Sequence, residues 1–276
     1  MDLRLDHVPT AWQDGAAAVA AIESVGLPTS VGGEHADGTT EMYVVGFPDG
    51  SYLELITNTG EETPSRWPAF IAGDAGPCAW CLDVDDIRAF MKQTIDADLH
   101  VSGPDRDGRE RPDGVYVEWE TATVGDHLGL THPFAIEDRT PRRYRVAPDP
   151  ALDEGPLVGL SEVVVLTDEP APLVDDLDRW LGVPRQQVLD RPEFGARLRR
   201  FPGAPVAVAT PTGDRLENRL ARFGPAVCAV LVETTSLDAA AERFDLTDPR
   251  EWGSDAVAWF DHPDLHRRVG VVEYGH

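Results

Sequence analysis

The chain has 276 residues, 42% of them hydrophobic, and a formal net charge of −25 from 49 acidic and 24 basic residues. That length supports two ordinary domains with full-sized cores, and the sequence has no run of about 18 apolar residues to span a membrane. So negative a field excludes nucleic acid as a natural partner, and three cysteines with no basic-then-apolar leader point to a reducing cytoplasm.

Residues 3–12, LRLDHVPTAW, read as a strand. Alternate side chains share a face, so His7 is expected beside Leu3 and Leu5, either as a core histidine with a partner or as a group placed in a cavity for chemistry. DGAAAVAAIESVG reads as a helix capped by Asp14, with Val19, Ile22 and Val25 on one stripe and Gly26 at its end. TTEMYVVGF and SYLELIT flank the turn PDG as two strands. Glu54, between Leu53 and Leu55, shares its face with Tyr52 and Ile56. A helical connector at 67–72 leads to the strand PCAWCLDV, then to a helix capped by Asp86 with Ile87, Phe90, Met91 and Ile95 at helical spacing. GVYVEWETATV and HPFAIED are further strands.

The Pro-, Arg- and Asp-rich stretch EDRTPRRYRVAPDPALDEGP reads as the link between two domains. After it come the strand GLSEVVVLT, a helix with Leu173, Leu177, Trp180 and Leu181 inward and Gly182 at its end, and the strands RLRRF and PVAVAT. A second connector at 215–223 precedes AVCAVLVET, a helix capped by Ser236 with Leu237, Ala240, Ala241 and Phe244, and the strands DAVAWF and RRVGVVEYG. Four β-α-β-β-β passes are the economical reading. FPDGSYLELIT echoes FPGAPVAVAT, and GPCAWCLDVDD echoes GPAVCAVLVET, so the units pair one with two and three with four. The expected class is α+β: four βαβββ modules in two pairs, with domains at 1–147 and 156–276 and a linker at 148–155.

The motifs LDHV, GGEH followed by Gly38 and Thr39, YLELI, and LTHPFAIED carry His7, His35, Glu54 and Glu137 in order. Over roughly residues 3–145 the chain resembles the glyoxalase-like branch of the vicinal oxygen chelate superfamily. The resemblance implies paired modules curled into half-open barrels around a metal and a small substrate. His7, Glu54, His35 and Glu137 would be the metal ligands, and Glu54 or Glu137 the proton carrier of a lyase, isomerase or dioxygenase reaction. The superfamily's second histidine belongs on the first strand of the second module; here CAWCLDV offers Trp80 or Cys81 instead.

From the residues themselves, imidazole and carboxylate suit Zn, Mn, Fe(II) or Ni, and ligands of one ion must come within about 3–4 Å of each other. The competing reading of His7 and Glu54 is a structural hydrogen bond. Its functional counterpart is a metal-free small-ligand binding or sequestration protein whose cavity is lined by Trp80, Tyr116, Trp119 and Phe134. Cys78 and Cys81, three apart on a strand, read as core. His127 and His132 are expected at the cavity rim, and His100, His262, His266 and His276 in polar loops or the terminus. No phosphate loop or nucleophile elbow is present.

In the second pair Glu162 stands where His7 does, an alanine near Ala207 replaces Glu54, and only Glu273 echoes Glu137. That pair is expected to be a degenerate copy that props the first or forms an interface. The partner expected is a small molecule, with neither nucleic acid nor membrane, and a homodimer is compatible with the chain. Lys92 is the only lysine, and the acid is spread along the whole sequence rather than gathered in a tail. This composition resembles that of proteins from salt-accumulating halophilic microbes, where molar salt screens the self-repulsion.

Overall fold

A computed structural model describes residues 3–35, 38–60, 67–111, 114–125, 129–182 and 186–275. The first half builds β1 (Arg4–Ala11), α1 (Gly15–Ser24), β2 (Ser30–Glu34), β3 (Thr40–Gly46), β4 (Tyr52–Asn58), α2 (Pro68–Ile71), β5 (Gly76–Pro77), β6 (Cys81–Asp83), α3 (Ile87–Asp96), β7 (Val101–Glu110), β8 (Tyr116–Val124) and β9 (Phe134–Asp138). The second builds β10 (Leu157–Leu166), α4 (Pro170–Leu181), β11 (Gln187–Arg191), β12 (Ala196–Arg200), β13 (Val206–Pro211), α5 (Asp214–Phe223), β14 (Ala226–Thr234), α6 (Leu237–Ala241), β15 (Arg250–Trp252), β16 (Asp255–Trp259) and β17 (Val269–Glu273). No described helix is long and apolar enough to cross a membrane.

The strands form two sheets, ordered β2-β3-β4-β1-β6-β9-β8-β7, with β5 also on β1, and β11-β12-β13-β10-β14-β17-β16-β15. Within each βαβββ module the first and last strands pair in parallel, and the two first strands of a pair of modules run antiparallel. Both sheets curl. In the first, Arg109 on edge strand β7 lies against Gly33 on the opposite edge, β2; in the second, Gln187 and Leu189 on β11 reach Gly253 just beyond β15. The fold is therefore the α+β arrangement of four modules in two curled pairs.

Helix ends follow the capping residues. Asp14 accepts from Ala16 N and Ala17 N, Asp86 from Arg88 N and Ala89 N, and Ser236 from Ala239 N, which satisfies amides with no partner inside the helix. The buried stripes differ in detail from the periodic reading. In α1 they are Ala18, Ala21 and Ile22 rather than Val19, and in α3 Ile95 is 60% exposed while Thr94 is buried and bonds back to Phe90 O.

One core joins the halves. It pools Leu5, Val8, Leu53 and Leu82 of the first sheet with Leu160, Val163, Val206 and Val230 of the second, and with apolar residues of α1, α3, α4 and α6 between them. Phe90 of α3 meets Trp180 of α4 edge-on at 5.7 Å. Within the 148–155 stretch Leu152 is fully buried in this core. Arg219 of α5 adds a polar tie, donating to Ala75 O, to Pro77 O at 2.6 Å and to Val227 O at 2.7 Å.

The inner faces differ. That of the second sheet carries an aromatic cluster of Phe194, Trp252 and Trp259, with Val164, Leu198 and Cys228, and opens to a cavity beside Glu162, Arg200 and Asp255. That of the first carries Met42, Ile56, Trp67, Cys81, Phe134 and Ile136, and among them the polar residues described next.

Candidate active site

The strand that carries His7 is not regular. Leu5 pairs with Leu82 and His7 with Cys81, so β1 advances two residues where β6 advances one, and Asp6 is the extra residue of a bulge. The bulge resets the alternation. Leu5 and Val8 both enter the shared core, and His7 does not share the face of Leu5 as strict alternation required; it turns with Cys81 to the inner side. Its ring stacks on Tyr52 at 4.8 Å and meets the edge of Phe134 at 5.3 Å. Asp6 turns the same way, and its Oδ1 lies 2.6 Å from His7 Nδ1.

Glu54 comes to the same place from β4, which runs parallel to β1 with Tyr52 opposite His7 and Glu54 opposite Pro9. Its carboxylate is buried and lies between two imidazoles: Oε2 is 3.6 Å from His7 Nε2, and Oε1 is 3.2 Å from His35 Nε2. His35, just beyond β2, has its Nδ1 2.7 Å from Thr40 Oγ1. Each ring thus has its Nδ1 engaged and its Nε2 directed at one oxygen of the same carboxylate. Burial raises the proton affinity of Glu54, but the His35 hydrogen bond and the charges of His7, His35 and Arg145 outweigh it and bring the pKa down to about 2.

Behind His7 is an ion-pair network. Arg145 holds both oxygens of Asp6 at 2.8 and 3.0 Å, both oxygens of Asp138 at 2.7 and 2.8 Å, and the Tyr52 hydroxyl at 2.9 Å. Arg142 adds contacts of 2.9 Å to Asp6 and to Asp83. Burial works against ionisation of Asp6, yet Arg145, the His7 hydrogen bond and Arg142 keep it well below the carboxylate range. Burial drives the Tyr52 phenol and the Cys81 thiol well above their ordinary values.

Glu137 stands apart from this group. On β9, Phe134 and Ile136 face inward, so Glu137 faces the helices, where it accepts from Ile87 N at 2.9 Å at the start of α3 and pairs with Arg139 at 2.7 Å. Glu273 does the same in the second half, accepting from Leu237 N at 2.7 Å at the start of α6. The echo between the two glutamates is that of a helix cap. The positions equivalent to Glu54 and His7 in the second module are Ile136 and Cys81.

Two groups of side chains have metal-ligating types. Asp6, His7 Nδ1 and Cys81 bring one ligand atom each within 4.8 Å of one another. Asp6 in this group is already held by two guanidiniums, which compete with a cation for its oxygens. His7 Nε2, His35 Nε2 and Glu54 form a two-histidine, one-carboxylate set whose Nδ1 atoms are held by a carboxylate and a hydroxyl; the residue types suit a divalent ion, but their three ligand atoms do not all lie within 4.8 Å of one another as they stand. Glu54 has no guanidinium in hydrogen-bonding reach among the described residues; the imidazoles are its direct partners, and Arg145 acts on its charge from farther away.

Other expected residues fall elsewhere. Trp80 belongs to the shared outer core, its Nε1 donating to Thr131 O, and Tyr116 is 56% exposed, so neither lines the inner face. Trp119 and Phe134 do border it. Cys78 and Cys81 enter the same inner cluster, because the strand is interrupted between β5 and β6 and alternation fails there. His132 lies 3.2 Å from Asp176 of α4. His127 and His276 are outside the described residues. In the second half Glu162 and Ala207 take the register positions of His7 and Glu54. Glu162 is closed off by Arg200 at 2.8 Å and by Trp252 Nε1 at 2.8 Å.

The sequence profile of a family described as "Glyoxalase-like domain" matches residues 5–181. No functionally curated protein matches the sequence. Among solved structures, a hypothetical protein from Staphylococcus aureus is similar over 99% of both chains, at 12% identity and a TM-score of 0.61. A mutant of 4-hydroxymandelate synthase from Streptomyces coelicolor is similar over 98% of this chain and 92% of that chain (11% identity, TM-score 0.61). The Mn(II)-bound glyoxalase from Novosphingobium aromaticivorans is similar over 98% of this chain and 81% of that chain (15% identity, TM-score 0.54).

Proposed function

The chain belongs to the glyoxalase-like domain family of the vicinal oxygen chelate superfamily, and from that premise we propose that it is a small-molecule enzyme using a divalent metal ion (Zn, Mn, Fe or Ni) held by His7, His35 and Glu54. One observation carries the reading: two imidazoles, each fixed through Nδ1, aim Nε2 at the two oxygens of a single buried carboxylate that has no guanidinium partner. The ion would polarise neighbouring oxygens of the substrate, as lyase, isomerase and dioxygenase chemistry of this fold class all require.

The protein's own groups divide the remaining work. Asp6 fixes the tautomer and tilt of His7, and Thr40 fixes the tilt of His35. A carboxylate at about 2 stays ionised at neutral pH, which suits Glu54 to holding the cation. His35, with 32% of its side chain exposed, is the most open of the three and marks the side from which a small molecule would approach. Phe134, Trp67 and Met42 supply an apolar wall that keeps the site's effective dielectric low.

Metal content of protein purified in high salt without chelator tests this. One ion per chain is expected, lost in both His7→Ala and His35→Ala while the circular dichroism spectrum persists. A folded wild-type chain that takes up no ion overturns the proposal. That result would favour the second reading, a metal-free binding protein, for which the existing His35–Glu54 contact of 3.2 Å speaks.

A further inference from the structure

Among the described residues, Arg109, Arg142 and Arg145 bring guanidinium groups to this side of the first half, and the last two are fully engaged. Arg145 is taken up by Asp6, Asp138 and Tyr52, and Arg142 by Asp6, Asp83 and Gly50 O. Arg109, half-buried on β7, is different. Its one protein hydrogen bond runs from Nη2 to Arg145 O at 3.0 Å, and its buried Nε has no partner. Exposed arginines such as Arg88, Arg106 and Arg197 each hold a carboxylate at 2.7–2.9 Å, whereas none among the described residues pairs with Arg109. Other arginines, among them Arg191, Arg215, Arg219 and Arg268, also have no carboxylate partner among the described residues, so what sets Arg109 apart is a buried donor left open beside the candidate site. A buried donor without an acceptor is costly, and native structures nearly always supply one.

Its position gives the open donor meaning. β7 and β2 are opposite edges of the first sheet, and Arg109 spans the seam between them. Nη1 would lie 3.3 Å from a Cβ at Gly33, whose φ of +98° also disfavours a side chain, so the glycine leaves room for the guanidinium. Gly33 is two residues from His35, and the charge of Glu54 is felt at Arg109. The face below the seam is apolar and aromatic, with Met42, Trp67, Phe134 and the partly buried Trp119.

We infer that Arg109 is the anchor for an anionic group of the substrate, and that the site takes small molecules with a carboxylate on an apolar, aromatic body. This deepens the proposed function and rests on it for what happens at the other end of the ligand. An arginine fork matches a carboxylate in two hydrogen bonds, and an amide of the same shape carries no charge to meet it.

The test uses benzoate and its neutral isostere benzamide, titrated at fixed ionic strength into chelator-treated full-length protein, with inorganic phosphate as a third probe. Wild type is expected to bind benzoate at least tenfold more tightly than benzamide. Arg109→Met should abolish that difference, and Arg109→Lys should restore part of it, with thermal midpoints confirming that each variant folds. If Arg109→Met does not fold, a fall in benzoate preference in Arg109→Lys still reads the contact. Equal binding of benzoate and benzamide, binding of neither, a preference for phosphate over benzoate, or a preference untouched in Arg109→Lys and Arg109→Met overturns the inference. Metal content before chelation separates the two claims. A metal-loaded wild type with no benzoate preference removes only the anchor, and a metal-free one that prefers benzoate through Arg109 removes only the proposed metal chemistry.

Discussion

Asp6 and His7 are neighbours in sequence, yet their side chains meet on the same side of the sheet, with Oδ1 2.6 Å from Nδ1. Only the bulge in β1 makes this possible, since regular alternation would send them to opposite faces. Asp6 thereby links an arginine-rich turn to the imidazole that faces Glu54. In Asp6→Asn, Arg145 loses a buried counter-charge and His7 loses its anchor. Stability should fall by about 3–5 kcal/mol, and metal affinity by about 10–100-fold where the protein remains folded. Urea titration and metal competition assays measure the two effects. A variant with unchanged metal affinity would show that Asp6 serves the fold alone.

Glu54 should impose an acid limb on stability. Its pKa falls from 4.5 toward about 2 on folding, so its contribution is fully present above 4.5 and disappears as pH drops through 2. The amount at stake is on the order of 3 kcal/mol. Urea unfolding of wild type and Glu54→Gln at pH 7, 4 and 2.5 is expected to show a difference that is largest at pH 7 and shrinks below pH 4.5. A difference constant across that range would mean the carboxylate is not held ionised by its imidazoles.

Glu137 and Glu273 are expected to behave alike. Glu137→Ala and Glu273→Ala each remove an acceptor at a helix start and should destabilise by about 1 kcal/mol, with metal content unaltered. Loss of metal in Glu137→Ala alone would return that residue to the site.

Ionic strength should matter throughout. With a net charge of −25, the thermal midpoint is expected to rise with KCl into the molar range as repulsion between surface carboxylates is screened. A midpoint independent of KCl would rule out the halophilic reading of the composition.

The elements most legible in the sequence were those that bury a face. The core strands around Leu5, Leu53, Val163 and Val230 carry continuous apolar patterns, and Asp14, Asp86 and Ser236 mark helix starts. The strands that composition does not mark are β2, β7, β11 and β15, and all four are sheet edges. An edge strand pairs on one side and can expose both faces, so SVGGE and VSGPDRDGRE have no apolar period to reveal them. At the site, His7, His35 and Glu54 stood out as residue types in motifs. The bulge at Asp6 did not, because nothing in LDHV distinguishes a bulged strand from a regular one. Arg145 was hidden for another reason: it comes from a stretch whose prolines and charges look like a spacer. The usable signal was the demand side, since an Asp beside a buried His requires a cation from somewhere.

The shared core has a consequence for how such a chain can change over time. Through Leu160, Val163 and Trp180 the second half covers the outer face of the first sheet and the helices that lie on it. Chemistry could vanish from the second half position by position, because Glu162 and the aromatic filling of its inner face keep that sheet folded without a ligand. Deleting the half is another matter: it would bare Leu5, Val8, Leu53 and Leu82 together with the apolar sides of α1 and α3 to water. The duplication therefore acts as a ratchet. Once two halves bury each other, neither can be shed without exposing the core of the other.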